Sequence, residues 1–269
     1  MRTTDRRIAL GLYRTRHTRD LLEGALELGV TDLDTAFNYQ HFGSHQALAT
    51  VAADLLPAFS IATKVGYFPE GHDLGVRRLQ MAIEQSAAAL GRTADTVLLH
   101  NPECSAAGFE AACCALARAR EAGLCRTWGI STWNPKPLLD SAWEVPSPDV
   151  IMVRAGLSVP ATVLDAGEQL TERLGARQVW GMSPFAGNAA DPIWTQIDTS
   201  HFLEPGQPAS ALQVGIAAAF AIPGAVRLAV GTSRIDHLAE SVQASSLDVN
   251  AETVKQYRML LRRRATVNG

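Results

Sequence analysis

Three short apolar runs in the chain each contain, or are closely followed by, side chains that can hold or transfer a proton. These side chains are Asp34, Tyr39, Lys64 and His100. A phenol can give a proton to a substrate oxygen, and we expect a nearby lysine to lower its pKa from about 10. A carboxylate can keep that lysine charged, and a histidine can donate a hydrogen bond to an oxygen where negative charge develops. The four residue types together therefore favour proton transfer to a carbonyl group.

The elements that must position these groups alternate between strand and helix. Continuous apolar runs are typical of parallel strands buried on both faces. Such runs predict strands at residues 8–13, from 32, 60–65, 96–100, 127–132, 150–155, 178–182 and 228–232. Apolar residues at helical spacing, with cap signals, predict helices at 19–29, 44–56, 73–91, 109–123, 138–143, 161–174, 210–221 and 235–244.

Eight strand-helix units predict an α/β protein with a (β/α)8 TIM barrel, in which the carboxyl ends of the strands build the active site. We expect a single domain over residues 1–269, with one extra helix at 251–264. An open doubly wound sheet is the alternative, but it needs a Gly-x-Gly-x-x-Gly turn after the first strand. Residues 11–20 contain no such turn.

The overall composition excludes several other classes of protein. Hydrophobic residues make up 47 % of the 269 residues, and the net charge is only −3. Lys and Arg are spread along the chain, so neither nucleic-acid binding nor a polybasic membrane patch is indicated. The four cysteines form no Cys-x-x-Cys pair, and no apolar stretch reaches about 18 residues. We therefore predict a soluble, cytoplasmic protein; the sequence does not determine its oligomeric state, for which a monomer is the default expectation.

The four candidate residues and their surroundings resemble the catalytic tetrad of the aldo-keto reductases. Asp-Thr-Ala precedes Tyr39, Thr-Lys-Val surrounds Lys64, and Leu-Leu-His-Asn-Pro surrounds His100. The resemblance extends over nearly the whole chain. It implies reduction of an aldehyde or ketone, or the reverse oxidation of an alcohol, with NADP(H) supplying or accepting the hydride and Tyr39 donating the proton.

The resemblance also implies which residues bind the cofactor. The helix N-terminus at Arg234 suits the 2′-phosphate of NADP, and residues 183–187 match the loop around the pyrophosphate. The complete set is Gly11, Leu12, Asp34, Ser131, Thr132, Met152, Met182, Ser183, Pro184, Phe185, Gly187, Gly231, Thr232, Ser233, Arg234, His237, Glu240 and Ser241.

The nicotinamide end of this set departs from the family pattern. Ser131-Thr132 stands where Ser-Asn is usual, Met152 replaces a glutamine, and Met182 replaces an aromatic residue. A thioether packs on a ring but cannot make the hydrogen bonds of an amide. A lyase, isomerase or cyclase that uses the same tetrad without hydride transfer therefore remains an alternative. A catalytically silent binding subunit is a third hypothesis, against which the intact tetrad argues.

The substrate is expected to be a small carbonyl compound or alcohol in a partly aromatic pocket. Its predicted wall comprises Tyr13, Tyr67, Phe68, Asn101 and Trp133. Residues 181–185 nearly form a nucleophile elbow but lack the final glycine. Two histidines, His41 and His45, have metal-binding spacing but no further ligands, so no metal is expected.

Overall fold

The computed structural model describes residues 6–196 and 198–267. Within these residues, eight parallel strands pair in chain order and close into a barrel. They are β1 (Arg7–Gly11), β2 (Asp32–Asp34), β3 (Ser60–Val65), β4 (Thr96–His100), β5 (Thr127–Thr132), β6 (Val150–Arg154), β7 (Gln178–Met182) and β8 (Arg227–Gly231). The pairing of β1 with β8 completes the barrel, which confirms the predicted (β/α)8 fold.

Helices cover the outside of the barrel at most of the predicted places. They are α1 (Arg19–Glu27), α2 (Ser44–Ala52), α3 (Val76–Leu90), α4 (Phe109–Glu121), α5 (Ala161–Leu174), α6 (Ile193–Gln196), α7 (Ala211–Ala221), α8 (Ile235–Ser245) and α9 (Ala251–Val267). The Thr18 hydroxyl accepts from the Leu21 amide at the start of α1. Ser210 and Gln213 form a reciprocal capping box at α7. The extra helix expected near the end of the chain is α9.

The fifth crossover differs from the prediction, because a 3-10 turn at Lys136–Leu139 replaces the helix expected at 138–143. Proline within the turn and further prolines at 146 and 148 disfavour a longer helix. Trp143 fills the space instead: its indole N–H donates to Leu138 O at 2.7 Å, and its ring meets Phe109 edge-on at 5.2 Å. The barrel is thus covered here by a side chain rather than by a helix.

Two smaller features also differ from the prediction. Helix α2, expected to reach residue 56, ends at Ala52, and Pro57 lies in a separate 3-10 turn, Leu56–Ala58. The loop after β3 contains a hairpin of two short strands, Tyr67–Phe68 and Gly71–His72. This hairpin carries two side chains of the site described below.

Ion pairs close the end of the barrel where the strands begin. Asp95 lies 2.8 Å from Arg92 and accepts from the Ile61 amide. Asp149 lies 3.2 Å from Arg120 and accepts from the Trp128 amide. These carboxylates bind both side chains and strand backbone, so this end serves stability, while the opposite end remains open.

Close approach between β5 and β6 generates a prediction about Gly129. A Cβ atom there would lie 2.1 Å from Val150 O, a contact that no side-chain rotation can relieve. We expect Gly129→Ala to lower the free energy of unfolding by about 3 kcal/mol or more. The measurement is urea unfolding followed by circular dichroism.

The same substitution in α5 serves as the matched control. A Cβ on Gly167 would meet Val153 Cγ1 at 3.4 Å, which is an ordinary contact, and helical Ala is favoured over Gly. Gly167→Ala should therefore stabilise the protein by about 0.5–1 kcal/mol. Equal stability of the two variants would contradict the tight β5–β6 approach.

Candidate active site

The carboxyl ends of three adjacent strands bring the predicted tetrad together. Asp34 ends β2, Lys64 is the penultimate residue of β3, and His100 ends β4. Tyr39 follows in the loop after β2, where Gln40 and the next two residues have positive φ values. Left-handed backbone at three successive non-glycine residues is uncommon, and such strain is concentrated at functional sites.

The Lys64 ammonium is the centre of this group of residues. Its Nζ lies 2.7 Å from the Asp34 carboxylate and donates to Thr35 O at 3.0 Å and to the Tyr39 hydroxyl at 3.3 Å. Only 1 % of Lys64 and 7 % of Asp34 is exposed. All three protons of the ammonium therefore have acceptors, and the phenol oxygen is held beside a positive charge.

Burial and charge oppose each other in setting the pKa values of this group. Burial alone would lower the pKa of Lys64, but the charges and hydrogen bonds of Asp34 and Tyr39 outweigh it and raise that pKa. Burial raises the pKa of Tyr39 above its ordinary value, and Lys64 only partly offsets this effect. Lys64 thus lowers the phenol pKa as expected, but the desolvation of the phenolate is the larger effect, so the net pKa of Tyr39 lies above its ordinary value. Tyr39 keeps its proton at neutral pH.

His100 forms the opposite wall of the site. Burial, together with the charges of Lys64 and His72, holds the pKa of His100 well below its ordinary value, so its ring is neutral. Its Nδ1 is buried without a hydrogen-bond partner among the described residues. A proton on Nε2 avoids an unpaired buried N–H, so the neutral ring is suited to donate from Nε2.

Neighbouring side chains fix the position of His100. His72 Nε2 donates to the His100 carbonyl at 2.8 Å, and His72 Nδ1 lies 2.9 Å from the Ser105 hydroxyl. The ring of Tyr67 meets the ring of His100 edge-on at 5.0 Å, and the amide of Asn101 donates to the Tyr67 hydroxyl at 3.3 Å. The hairpin after β3 therefore supports the histidine at the end of β4.

A cleft of about 750 Å³ extends from the tetrad to the first turns of α8. Most of the residues predicted for cofactor and substrate line this cleft. They are Gly11, Tyr13, Asp34, Tyr39, Lys64, Tyr67, His100, Asn101, Ser131, Trp133, Met182, Ser183, Pro184, Phe185, Gly187, Gly231, Thr232, Ser233, His237, Glu240 and Ser241. A dinucleotide is extended, and one cleft with catalytic groups at one end and a helix N-terminus at the other suits it.

Five predicted residues lie outside the wall of this cleft. Leu12 is fully buried, Phe68 packs in the core with 5 % exposure, and Thr132 is fully buried. Met152 packs inside the barrel with 2 % exposure, so its thioether contacts the core. The structure places Arg234 on the surface beside the cleft and not in its wall.

Two contacts bear on how the cleft fits NADP(H). The guanidinium of Arg234 forms a two-pronged ion pair with Asp236, and this hydrogen bonding holds the pKa of Asp236 far below its ordinary value. At the other end, the Ser131 hydroxyl lies 3.9 Å from the sulfur of Met182, a weak acceptor. Ser131 is therefore available to a better acceptor, whereas a phosphate at Arg234 would compete with Asp236 for the same guanidinium.

Several residues of the cleft wall were not predicted. They are Arg14, Thr15, Asn38, Ala189, Leu212, Gln213, Ile216, Ala229 and Val230. The sequence could have indicated Gln213, since it is a lone polar residue in the apolar helix α7. It could not have indicated Arg14, because the position of Arg14 depends on a positive φ of 56°.

Residues 6–196 and 198–267 contain no group of three or more His, Cys, Asp or Glu side chains arranged to hold a metal ion. No helix of the described chain is both long and apolar enough to cross a bilayer. The two histidines with metal-binding spacing diverge, since His45 is buried against Thr63 at 2.8 Å and His41 is exposed.

A sequence model of the Aldo/keto reductase family matches residues 8–163, more than half of the chain. The chain therefore belongs to the Aldo/keto reductase family. The matched region contains all four tetrad positions and ends before β7 and β8. No sequence in the search of curated proteins matched the chain.

Solved structures share the fold along most of its length. An aldo-keto reductase from Bacillus halodurans in its holo form is 19 % identical, with a TM-score of 0.74 over 94 % of this chain and 91 % of that one. An aldo-keto reductase from Klebsiella pneumoniae, solved with NADPH, is 19 % identical, with a TM-score of 0.72 over 94 % and 90 %. An aldose reductase from Giardia lamblia is 15 % identical, with a TM-score of 0.71 over 96 % and 92 %.

The buried ion pair generates a prediction about stability. Lys64→Met removes the ammonium and leaves the Asp34 carboxylate without a counter-charge. We expect a loss of about 3–5 kcal/mol in the free energy of unfolding at neutral pH. Adding Asp34→Asn should recover part of the lost free energy of unfolding, because neither residue of the pair then carries a buried charge. Urea unfolding of the parent, both single variants and the double variant measures the coupling, and strictly additive losses would contradict it.

Proposed function

We propose that this protein reduces the carbonyl group of an aldehyde or ketone, or oxidises the corresponding alcohol, with NADP(H) as redox partner and Tyr39 as proton donor. The observation that carries the proposal is the contact of Lys64 with both Asp34 and Tyr39 at one end of a dinucleotide-sized cleft. The NADPH complex of the Klebsiella pneumoniae relative supports the choice of cofactor. When bound, NADPH supplies the hydride.

The residues of this chain account for the proton and for the developing charge. Tyr39 is protonated and gives its proton to the carbonyl oxygen as the carbon gains hydride. Lys64 lies 3.3 Å from the phenol oxygen and stabilises the phenolate that remains, while Asp34 keeps Lys64 charged. His100 donates a hydrogen bond from Nε2 to the same carbonyl oxygen. Such fixed donors act without reorganising water, which is why they stabilise the transition state strongly.

A non-redox reaction at the same tetrad is the second candidate. Its specific support is the nicotinamide end, where Met152 is buried in the barrel and Ser131 contacts a thioether. The amide side chains in the described wall of the cleft, those of Asn38, Asn101 and Gln213, come from two loops and from α7, and not from β6, where the family usually places its glutamine. Titration of NADPH into the protein, followed by intrinsic fluorescence, separates the candidates: saturable binding favours the reductase, and lack of binding favours a lyase, isomerase or cyclase.

The proton donor can be tested by Tyr39→Phe. Loss of general acid catalysis should lower carbonyl turnover by about 10²- to 10⁴-fold, while NADPH affinity stays nearly unchanged. Steady-state NADPH oxidation and calorimetric titration measure the two quantities. Tyr257→Phe is the control, because Tyr257 lies on α9 and its hydroxyl binds Leu157 O. Turnover of Tyr39→Phe at the parent rate would rule out the assignment.

Cofactor preference can be tested through the Arg234–Asp236 pair. If Arg234 binds the 2′-phosphate, Asp236 competes with that phosphate for the same guanidinium. Exposed ion pairs are weak, so Asp236→Asn should tighten NADPH binding by only roughly two- to five-fold, and Arg234→Ala should weaken it. Binding of NADH, which lacks the phosphate, should change little in either variant. If NADPH and NADH bind the parent equally, Arg234 has only a structural role.

A further inference from the structure

Arg154 places a positive charge at the open end of the barrel. Side chains alternate along a strand, and Val150 and Met152 of β6 face the barrel interior. Arg154 follows Met152 by two residues and is therefore on the same face of the strand. Because it is the last residue of β6, its side chain emerges at the open end of the barrel. Its register partner on β7 is Met182, which lines the cleft.

Two contacts hold the guanidinium at the rim of the cleft. Its Nε donates to the Trp133 carbonyl at 3.0 Å, and its Cζ lies 4.8 Å from the centre of the Trp133 ring. Trp133 is 43 % exposed and lines the cleft. The two terminal nitrogens of Arg154 have no hydrogen-bond partner among residues 6–196 and 198–267.

The half-buried position makes this unpaired charge unusual in the fold. Burial lowers the pKa of Arg154 below its ordinary value. Most other half-buried arginines have carboxylate partners, such as Arg120 with Asp149 at 3.2 Å, whereas Arg6 resembles Arg154 and bonds the Leu247 carbonyl. A partly desolvated charge is costly unless it is paired. Arg154 therefore lacks the counter-ion that most comparable positions have.

The acidic side chain bonded to the same turn is that of Glu103, whose Oε2 is buried without a hydrogen-bond partner among the described residues. Glu103 Oε1 accepts from the amides of Trp133 at 2.7 Å and Asn134 at 2.9 Å. Glu103 makes no ion pair with Arg154 in the described structure. The turn at 133–134 is thus fixed by Glu103 on one side and by Arg154 on the other, and the guanidinium lies outside the cleft wall, against Trp133, which lines it.

We propose that Arg154 binds a carboxylate on the substrate, so that the preferred substrates are carbonyl compounds carrying an acidic group remote from the carbonyl. This inference rests on the proposed function. The planar guanidinium matches a carboxylate with two parallel hydrogen bonds. The indole of Trp133 packs against the body of the same substrate. Tyr39 and His100 would hold its other end.

A pair of test aldehydes of similar length isolates the charge. We expect the parent to reduce 4-formylbenzoate with a higher kcat/KM than methyl 4-formylbenzoate, its neutral ester. Arg154→Gln keeps a donor for the Trp133 carbonyl but removes the charge. It should lower kcat/KM for the acid by about 10- to 100-fold, the range for hydrogen bonds to charged groups, and leave the ester within about two-fold.

Two further variants make the test specific. Arg154→Lys keeps the charge without the planar fork and should retain part of the preference for the acid. Arg118→Gln removes an exposed arginine from the last turn of α4, at the opposite end of the barrel, and should leave the preference unchanged. Melting temperatures check that each variant is folded.

The outcomes separate this inference from the proposed function. If the parent reduces both aldehydes equally and Arg154→Gln changes neither rate, the role of Arg154 is overturned and the reductase activity stands. If neither aldehyde is reduced, the reductase proposal is not supported, and calorimetric binding of 4-formylbenzoate decides the role of Arg154. Tighter binding of the acid than of the ester, lost in Arg154→Gln, supports it; equal binding overturns it.

Discussion

The buried ion pair of Lys64 with Asp34 is the contact on which the open end of the barrel depends. A charge with 1 % exposure is tolerated because all its protons are accepted, and this requires β2 and β3 to keep their register. Polar contacts of neighbouring residues support the pair. The Nε2 of His45 in α2 lies 2.8 Å from the Thr63 hydroxyl, and the Thr35 carbonyl accepts a hydrogen bond from Lys64. The position of the first helices is therefore coupled to the geometry of the proton donor.

The two ends of the barrel treat charge in opposite ways. Where the strands begin, Asp95 and Asp149 are saturated by arginines and by backbone amides. Where they end, the phenol of Tyr39 and the guanidinium of Arg154 keep hydrogen-bond donors that no residue of the described chain accepts. Stability is concentrated at the first end and the capacity to bind ligands at the second, as the direction of parallel strands requires.

The sequence predicted the fold more completely than the cleft. The bounds of β5, β7 and α5 were predicted correctly, because apolar runs between turn residues define them. The predicted site and the observed cleft differ where side-chain direction or a local partner decides the position of a residue. Phe68 and Met152 are residue types that suit a ligand pocket, but their side chains point into the core, because successive side chains of a strand face opposite ways. Arg234 finds its partner only two residues away. The raised pKa of Tyr39 reflects burial, which no short motif contains.

The fifth crossover has a consequence for the motion of the protein. Between the 3-10 turn and β6, the chain is held by Trp143 against Phe109 and by Arg173 bonded to the carbonyls of Leu139 and Ser141, rather than by helical hydrogen bonds. Segments held by few side chains open at lower free energy than the elements around them. Hydrogen exchange should therefore begin here. Since β5 and β6 flank this crossover, its opening would loosen Trp133, which follows β5, and Arg154, which ends β6, before the tetrad itself.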